Sequence, residues 1–567
     1  MKKKLIGLLL AASMMALMLT GCARENGSSS AKKGSYMERV NSTYDANVVD
    51  DKYRTTYEIF VGSFYDSDGD GTGDLNGVTE KIGYIRDMGF NEIWLMPICP
   101  SPTYHKYDVT DYTAIDPAYG TMDDFEKLVK TCHDNGIRLI TDLVLNHTST
   151  AHPWFKEAAQ YLNGLGKNDK PSAKDCPYVN YYNFSREAKE GYAQLAGSDW
   201  YYEARFWEGM PDLNLDNEAV KDEIKKITDF WLNKGVDGFR LDAVTSYYTG
   251  NDDKNIAFLK WLNDEVKTKD PDAYMVGECW TDYTTYARYY KSGIDSFFDF
   301  SFANDSGAIA STVRSASGAK GFGEMMVTVQ DEIRANNKDG IEAPFYTNHD
   351  MARSAGYYPG DDGSKVKLAT GMNLMMSGNA FVYYGEELGM KGSGKDENKR
   401  APMYWSSDSS AKGMTRGPDD MDSFEMKFDS EDKQAKDDTS ILNYVKQAVK
   451  LRNTFPVIAR GTVSVIDGAS DDNVLAIEKK MDDNSYDPVV IVYNVTDKTQ
   501  TVKQSALPDG FSKLGGVLIS GASGNARKGG NDATSSSSET SEKEVEVTIK
   551  DGSITMPAQS IAIFTDK

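Results

Sequence analysis

Eight short runs of β-branched and aromatic residues alternate with longer segments of helical spacing, and polar residues gather where those runs close. Together these observations predict an α/β fold, a closed parallel (β/α)8 TIM barrel. Two breaks in the rhythm predict additions to it. A stretch at 148–214, rich in Tyr, Trp, Asn and Gly, is far too long for a simple connection and reads as a small inserted domain after strand three. Beyond about residue 454, alternating strand patterns replace the helices and predict a C-terminal β-sandwich.

The elements follow in order. Lys2, Lys3 and Lys4 precede an apolar run at 5–19, which has the charge and length of a secretory signal and is too short to span a membrane. The run closes on Leu19, Thr20, Gly21 and Cys22, which resembles a bacterial lipobox. That resemblance implies removal of residues 1–21, acylation of Cys22 and an extracytoplasmic protein lipid-anchored to the cell membrane surface. Residues 22–51 are rich in Ser, Gly, Lys and Asn and suit a flexible tether. The barrel is expected over 52–147 and 215–455, on either side of the insertion, with strands at 57–64, 92–97, 138–145, 238–244, 273–278, 296–301, 344–348 and 379–384. Among the helical segments, 122–135 sets Phe125, Leu128 and Val129 on one face and stops at Gly136. The C-terminal domain, 456–567, carries strand patterns at 462–466, 474–478, 489–493, 544–549 and 561–565, with a low-complexity loop around 525–542 that reads as disordered.

At 567 residues and 40 % hydrophobic content the chain can bury a large core and is too long for one ordinary domain. A net charge of −23 repels nucleic acid, which argues against that partner, whereas a neutral polysaccharide meets no such penalty. Cys99, Cys132, Cys176 and Cys279 lack metal-ligand spacing and read as buried thiols.

In such a barrel the chemistry sits at the C-terminal ends of the strands. Four ends stand out: DLVLNH at 142–147, GFRLDAV at 238–244, GECW at 277–280 and TNHD at 347–350. These motifs, in this order, resemble those of glycoside hydrolase family 13, the α-amylase family, and the resemblance runs from about residue 53 to the C-terminus. The residue types also make chemical sense by themselves. Cleaving a glycosidic bond takes one carboxylic acid to protonate the leaving oxygen and a second carboxylate to meet the anomeric carbon. Asp242 and Glu278, closing strands four and five, can face each other across the barrel mouth. Arg240, two residues before Asp242 on the same face, favours the carboxylate form there, while Cys279 and Trp280 offer Glu278 a less polar setting that favours the acid.

The resemblance implies retaining hydrolysis of internal α-1,4 bonds in starch, glycogen or maltooligosaccharides, with Asp242 as nucleophile and Glu278 as general acid/base. It further implies that Asp350 binds the 2- and 3-hydroxyls of the distorted sugar beside His349, and that His105 and His147 touch the same sugar. Tyr107, in YHKYDVTDY at 104–112, is similar to the aromatic residue that stacks on that sugar. MPDLN at 210–214 looks like a fifth motif, found between the oligo-1,6-glucosidases and the neopullulanases. Thr245 and Ser246 stand where many α-amylases carry Lys-His, and Ala243 stands where α-1,6-specialised members carry Val, which favours α-1,4 cleavage. A neopullulanase, an oligo-1,6-glucosidase or a glucanotransferase remain alternatives, because specificity lives in loops rather than in the fold. A non-catalytic glycan-binding protein fits less well, since Asp242, Glu278 and Asp350 are all present.

The last expectation is a metal. DSDGDGTGD at 66–74 alternates carboxylates and glycines, as a flexible calcium loop does, and its crowded charges call for a compensating cation. Asp66, Asp68, Asp70 and Asp74 are the expected side-chain ligands of a structural Ca2+. Similarity to the family's loop adds the Thr72 carbonyl. A second calcium through Asn146 and Asp212 is a further possibility of the same kind.

Overall fold

The computed structural model describes residues 51–521 and 546–566. The signal-like segment 1–21, Cys22, the tether as far as residue 50 and the low-complexity loop at 525–542 lie outside these. No helix among the described residues is long and apolar enough to cross a membrane.

Eight strands form the barrel: β1 (Thr55–Ile59), β2 (Glu92–Leu95), β3 (Arg138–Leu143), β4 (Gly238–Leu241), β5 (Tyr274–Gly277), β6 (Ser296–Phe298), β7 (Ile341–Ala343) and β8 (Ala380–Tyr383). They run in one sheet in the order β7-β6-β5-β4-β3-β2-β1-β8, with parallel ladders between neighbours. Nearly every residue of these strands is buried, which is why they read as continuous apolar runs rather than as alternating ones. Trp94, Ile140, Tyr274, Val276, Phe298, Ala343, Phe345 and Phe381 pack together in one core cluster.

Between β7 and β8 the barrel closes on one isolated bridge, Phe345 with Phe381, flanked by hydrogen bonds from Asn379 N–H to Glu342 O (2.7 Å) and from Phe381 N–H to Pro344 O (2.9 Å). Here the sequence expectation needs correcting. The seventh strand was expected at 344–348 and lies instead at Ile341–Ala343. Pro344 has no N–H to give a ladder, so the strand ends before it and TNHD is carried on the loop beyond.

The helix expected at 122–135 forms at Met122–Asp134. Thr121 and Asp124 make a reciprocal capping box, Phe125, Leu128, Val129 and Cys132 are buried, and Asn135 and Gly136 follow the last turn. After β3 the chain makes its long excursion, with a helix at Pro153–Asn163 and a three-stranded antiparallel sheet of Phe184–Ser185, Tyr201–Glu203 and Tyr192–Gln194. It returns through bridges of His147 with Asp212 and Tyr182 with Leu213. The C-terminal part folds into antiparallel sheets of five and three strands. Gln500–Lys503, Lys513–Ile519 and Ser553–Met556 belong to them and had no counterpart among the sequence patterns. Cys99, Cys132, Cys176 and Cys279 are all buried.

Candidate active site

Arg240, the third residue of β4, organises the site. Its side chain is fully buried, and Nη1 reaches Asp242 Oδ1 at 2.7 Å and Asp142 Oδ1 at 3.0 Å, while Nη2 reaches Glu278 Oε2 at 3.0 Å. The guanidinium lies 5.1 Å above the Trp94 ring, so the apolar barrel core supports it from below. Three carboxyl groups thus converge on one cation, in a setting where like charges crowd. Burial is the main influence on two of them: it pushes Glu278 up to about 7 and Asp142 up to about 6, against the pull of Arg240.

The sequence reading paired Arg240 with Asp242 and set Glu278 in a less polar flank of Cys279 and Trp280, of which Cys279 is buried. Arg240 holds both carboxylates, and Trp280 is 52 % exposed and stacked on Phe300 at 4.6 Å. Burial of Glu278 itself is what raises it, helped by repulsion from Asp242 and Asp350. Ala243 N–H also donates to Glu278 Oε2 at 3.0 Å. To aim that amide, Ala243 adopts φ +47°, a left-handed conformation costly for a residue with a Cβ.

Asp350 is carried on the loop after β7. Burial alone would raise it, but His349 (Nε2 to Oδ2, 3.2 Å), Arg400 (Nη2 to Oδ1, 3.3 Å) and the more distant Arg240 hold its carboxyl well below the usual range. Arg400 also pairs with Asp396, which accepts from the Tyr104 hydroxyl at 2.8 Å. His147 is buried and its Nε2 meets the Tyr107 carbonyl at 3.2 Å; burial lowers its basicity. His105 Nδ1 accepts from Tyr107 N–H at 3.1 Å, and it too is lowered by burial. The Tyr107 ring stacks on His349 at 5.5 Å, with its hydroxyl 3.0 Å from Asp142 Oδ2. The structure therefore gathers Asp242, Glu278, Asp350, Arg240, His349, Tyr107, His105 and His147 around one mouth.

Other residues of the site were not singled out from the sequence. Asp142 and Tyr104 lay in motifs noted above without a role of their own, and Glu58, Asp396 and Arg400 were assigned none. Phe206 and Trp207 are 52 % and 51 % exposed, and Phe206 lies 5.4 Å from the His147 ring. Large exposed aromatic faces beside a cleft suit the apolar faces of sugars.

The acidic loop lies apart. Asp66, Asp68 and Asp74 each bring a carboxylate oxygen within 4.8 Å of the others. Asp66 also accepts from the Gly69 and Gly71 amides (2.6 and 2.7 Å), and Asp74 caps the following helix through Gly77 N–H at 2.8 Å. These all-oxygen donors, with lone pairs to spare, fit a hard cation such as Ca2+. Asp70 is not in the group; its Oδ1 accepts from Thr72 N–H at 2.7 Å. At the other suggested site, Asn146 Nδ2 donates to Asp212 Oδ1 at 3.1 Å and the Arg205 amide donates to Oδ2 at 3.3 Å. Burial pushes Asp212 up to about 7.

Residues 58–461 match the family description "Alpha amylase, catalytic domain". The chain belongs to the α-amylase family. It is 38 % identical over 443 residues to Alpha-amylase 3 of Dictyoglomus thermophilum, covering 77 % of this chain and 84 % of that relative. Its fold superposes on the solved structure of Eubacterium rectale Amy13B with TM-score 0.88 and 48 % identity, over 94 % of this chain and all of the other (100 %). An α-amylase from H. orenii aligns with TM-score 0.75 and 33 % identity, over 91 % of this chain and 100 % of that one. Membership of the α-amylase family makes the chain a glycoside hydrolase on a (β/α)8 barrel.

Proposed function

We propose that this α-amylase-family hydrolase cleaves internal α-1,4-glucosidic bonds of starch, glycogen or maltooligosaccharides with retention of configuration. The observation that carries the reading is the pair Asp242 and Glu278 on one guanidinium, with Glu278 raised to about 7 and so available as an acid at neutral pH. Glu278 protonates the glycosidic oxygen as that bond breaks, and Asp242 bonds to the anomeric carbon. Water, giving its proton back to Glu278, then breaks the Asp242 ester and restores both carboxyl groups. Asp350, His349, His105 and His147 hold the hydroxyls of the reacting sugar, and Tyr107 offers its ring.

Asp66, Asp68 and Asp74 would hold a structural Ca2+, whose contribution is to cross-link the loop, with no step of the reaction passing through it. An extracytoplasmic enzyme anchored through acylated Cys22 is the companion proposal, supported by the Leu19–Cys22 ending and the polar stretch behind it.

Product analysis on soluble starch, pullulan and isomaltose tests the specificity. Maltooligosaccharides released from starch, with little action on isomaltose, are expected, and a preference for pullulan or isomaltose would favour the α-1,6 relatives instead. Early proton NMR should show the α-anomer of the new reducing end, and a β-anomer would refute retention. A Cys22→Ser variant should leave the membrane fraction; one that stays there as firmly as wild type would refute the anchor.

A further inference from the structure

Glu58 takes no part in the chemistry above, although it is 1 % exposed within β1 and directed at the site. Its Oε1 lies 2.5 Å from Nδ1 of His349. The other ring nitrogen, Nε2, is 2.8 Å from the Tyr107 hydroxyl and 3.2 Å from Asp350 Oδ2, and the Tyr107 hydroxyl is 3.0 Å from Asp142 Oδ2. A ring protonated on both nitrogens can serve Glu58 and Asp350 at once, since an ionised carboxylate only accepts hydrogen bonds. The Nε2 proton then faces Asp350 and the Tyr107 oxygen, which leaves the proton of Tyr107 for Asp142. Every proton along Glu58, His349, Tyr107 and Asp142 is oriented from one end.

We propose that Glu58 is a positioning residue of this active site: its carboxylate keeps His349 doubly protonated and so holds Tyr107 and Asp350 in one arrangement toward the sugar. The proposal rests on the glycosidase reading of the site. The titratable and charged groups facing the ring are Glu58 from β1, Asp350 from its own loop and Tyr107 from the loop after β2, with Asp142 of β3 and Arg240 of β4 behind Tyr107. Burial would lower His349, but Asp350 and then Glu58 raise it to about 9, in keeping with the geometry. The edge of Trp94, 5.6 Å away, closes another side of the ring.

Glu58→Gln keeps the size and an acceptor oxygen and removes the charge. Losing an opposite charge in contact lowers a histidine by about 1 to 3 units. Ring 15N NMR of the full histidine-labelled chain, with the resonance assigned through His349→Asn, should show the wild-type ring protonated at neutral pH and the E58Q ring losing its proton about 1 to 3 units earlier. The kinetic arm uses 4-nitrophenyl α-maltoside, whose leaving group departs without a proton from Glu278. The alkaline limb of its kcat/KM then reports on groups other than that acid, and it should move to lower pH in E58Q in step with the NMR titration. A titration and a limb that both stay in place, or a wild-type His349 that is neutral at pH about 7, would overturn the proposal. If E58Q does not fold, the wild-type titration decides alone. Failure of the wild type to cleave any α-glucoside would remove the glycosidase reading, while the NMR titration would still decide the role of Glu58.

Discussion

Asp242 and Glu278 meet on one guanidinium and are about equally buried, at 7 % and 8 % exposure, and only Glu278 also accepts from the Ala243 amide. Burial, with repulsion from Asp242 and Asp350, is what raises Glu278. Asp242→Asn or Glu278→Gln should lower kcat/KM on starch by about 10^4-fold with the melting temperature nearly unchanged, since each removes a reacting group rather than a core contact. E278Q should lose far less on an aryl glycoside whose leaving group needs no proton, a contrast that would be missing if Glu278 were only structural. The pH dependence has a definite sign. In the proposed mechanism Glu278 acts in its protonated form, and it is raised to about 7, so kcat/KM on maltooligosaccharides should fall as pH rises through that value. A rate that increases between about pH 7 and 9 would contradict the assignment. At this scale much was legible in the sequence, because Asp242, Glu278 and Asp350 are polar residues following apolar runs. Glu58 was not, because it sits inside such a run and its partner is 291 positions away. Nor does any residue pattern announce that Ala243 turns left-handed to aim its amide.

At the scale of elements, most barrel strands were readable as short apolar runs and the helix at Met122–Asp134 from its spacing, and the errors have local causes. The seventh strand was misplaced although Pro344 carried the signal that forbids a ladder there, and short tail strands such as Ser553–Met556 are too brief to show a period. Close approach between strands sets sharper requirements than periodicity does. Gly238 begins β4 at φ +152°, and a Cβ there would stand 1.8 Å from the Tyr274 carbonyl oxygen of β5. Gly238→Ala should therefore cost about 3 kcal/mol or more and disturb the two strands that carry the carboxylates. Gly83, in the helix Leu75–Met88, has nothing within 4 Å of such a Cβ, and Gly83→Ala should stabilise by about 0.5 to 1 kcal/mol. Chemical denaturation of both variants checks the contrast, and equal effects would refute it. The loop after β1 makes a third case. Asp68 is exposed and its Oδ1 accepts from the Asp70 amide, so Asp68→Asn leaves the turn largely intact. Chelation should lower the wild-type melting temperature and calcium should restore it. An Asp68→Asn protein with the same calcium response as wild type would show the loop to be only a turn.

Across the whole molecule, the barrel is a tube with a slit. Seven of its eight seams are parallel ladders, whereas the seam between β7 and β8 is one bridge beside a proline. A slit tube resists bending but yields readily to torsion, so slow twisting of the barrel should concentrate along this line. The loop bearing His349 and Asp350 springs from the slit, while Asp242 and Glu278 follow laddered strands on another part of the wall. Hydrogen exchange should find the seam amides of Asn379 and Phe381 opening before those of β4, by about tenfold or more. Uniform protection around the wall would refute this. The strands that lead to Asp242 and Glu278 are joined by their own ladder, so that pair would keep its spacing while the seam twists.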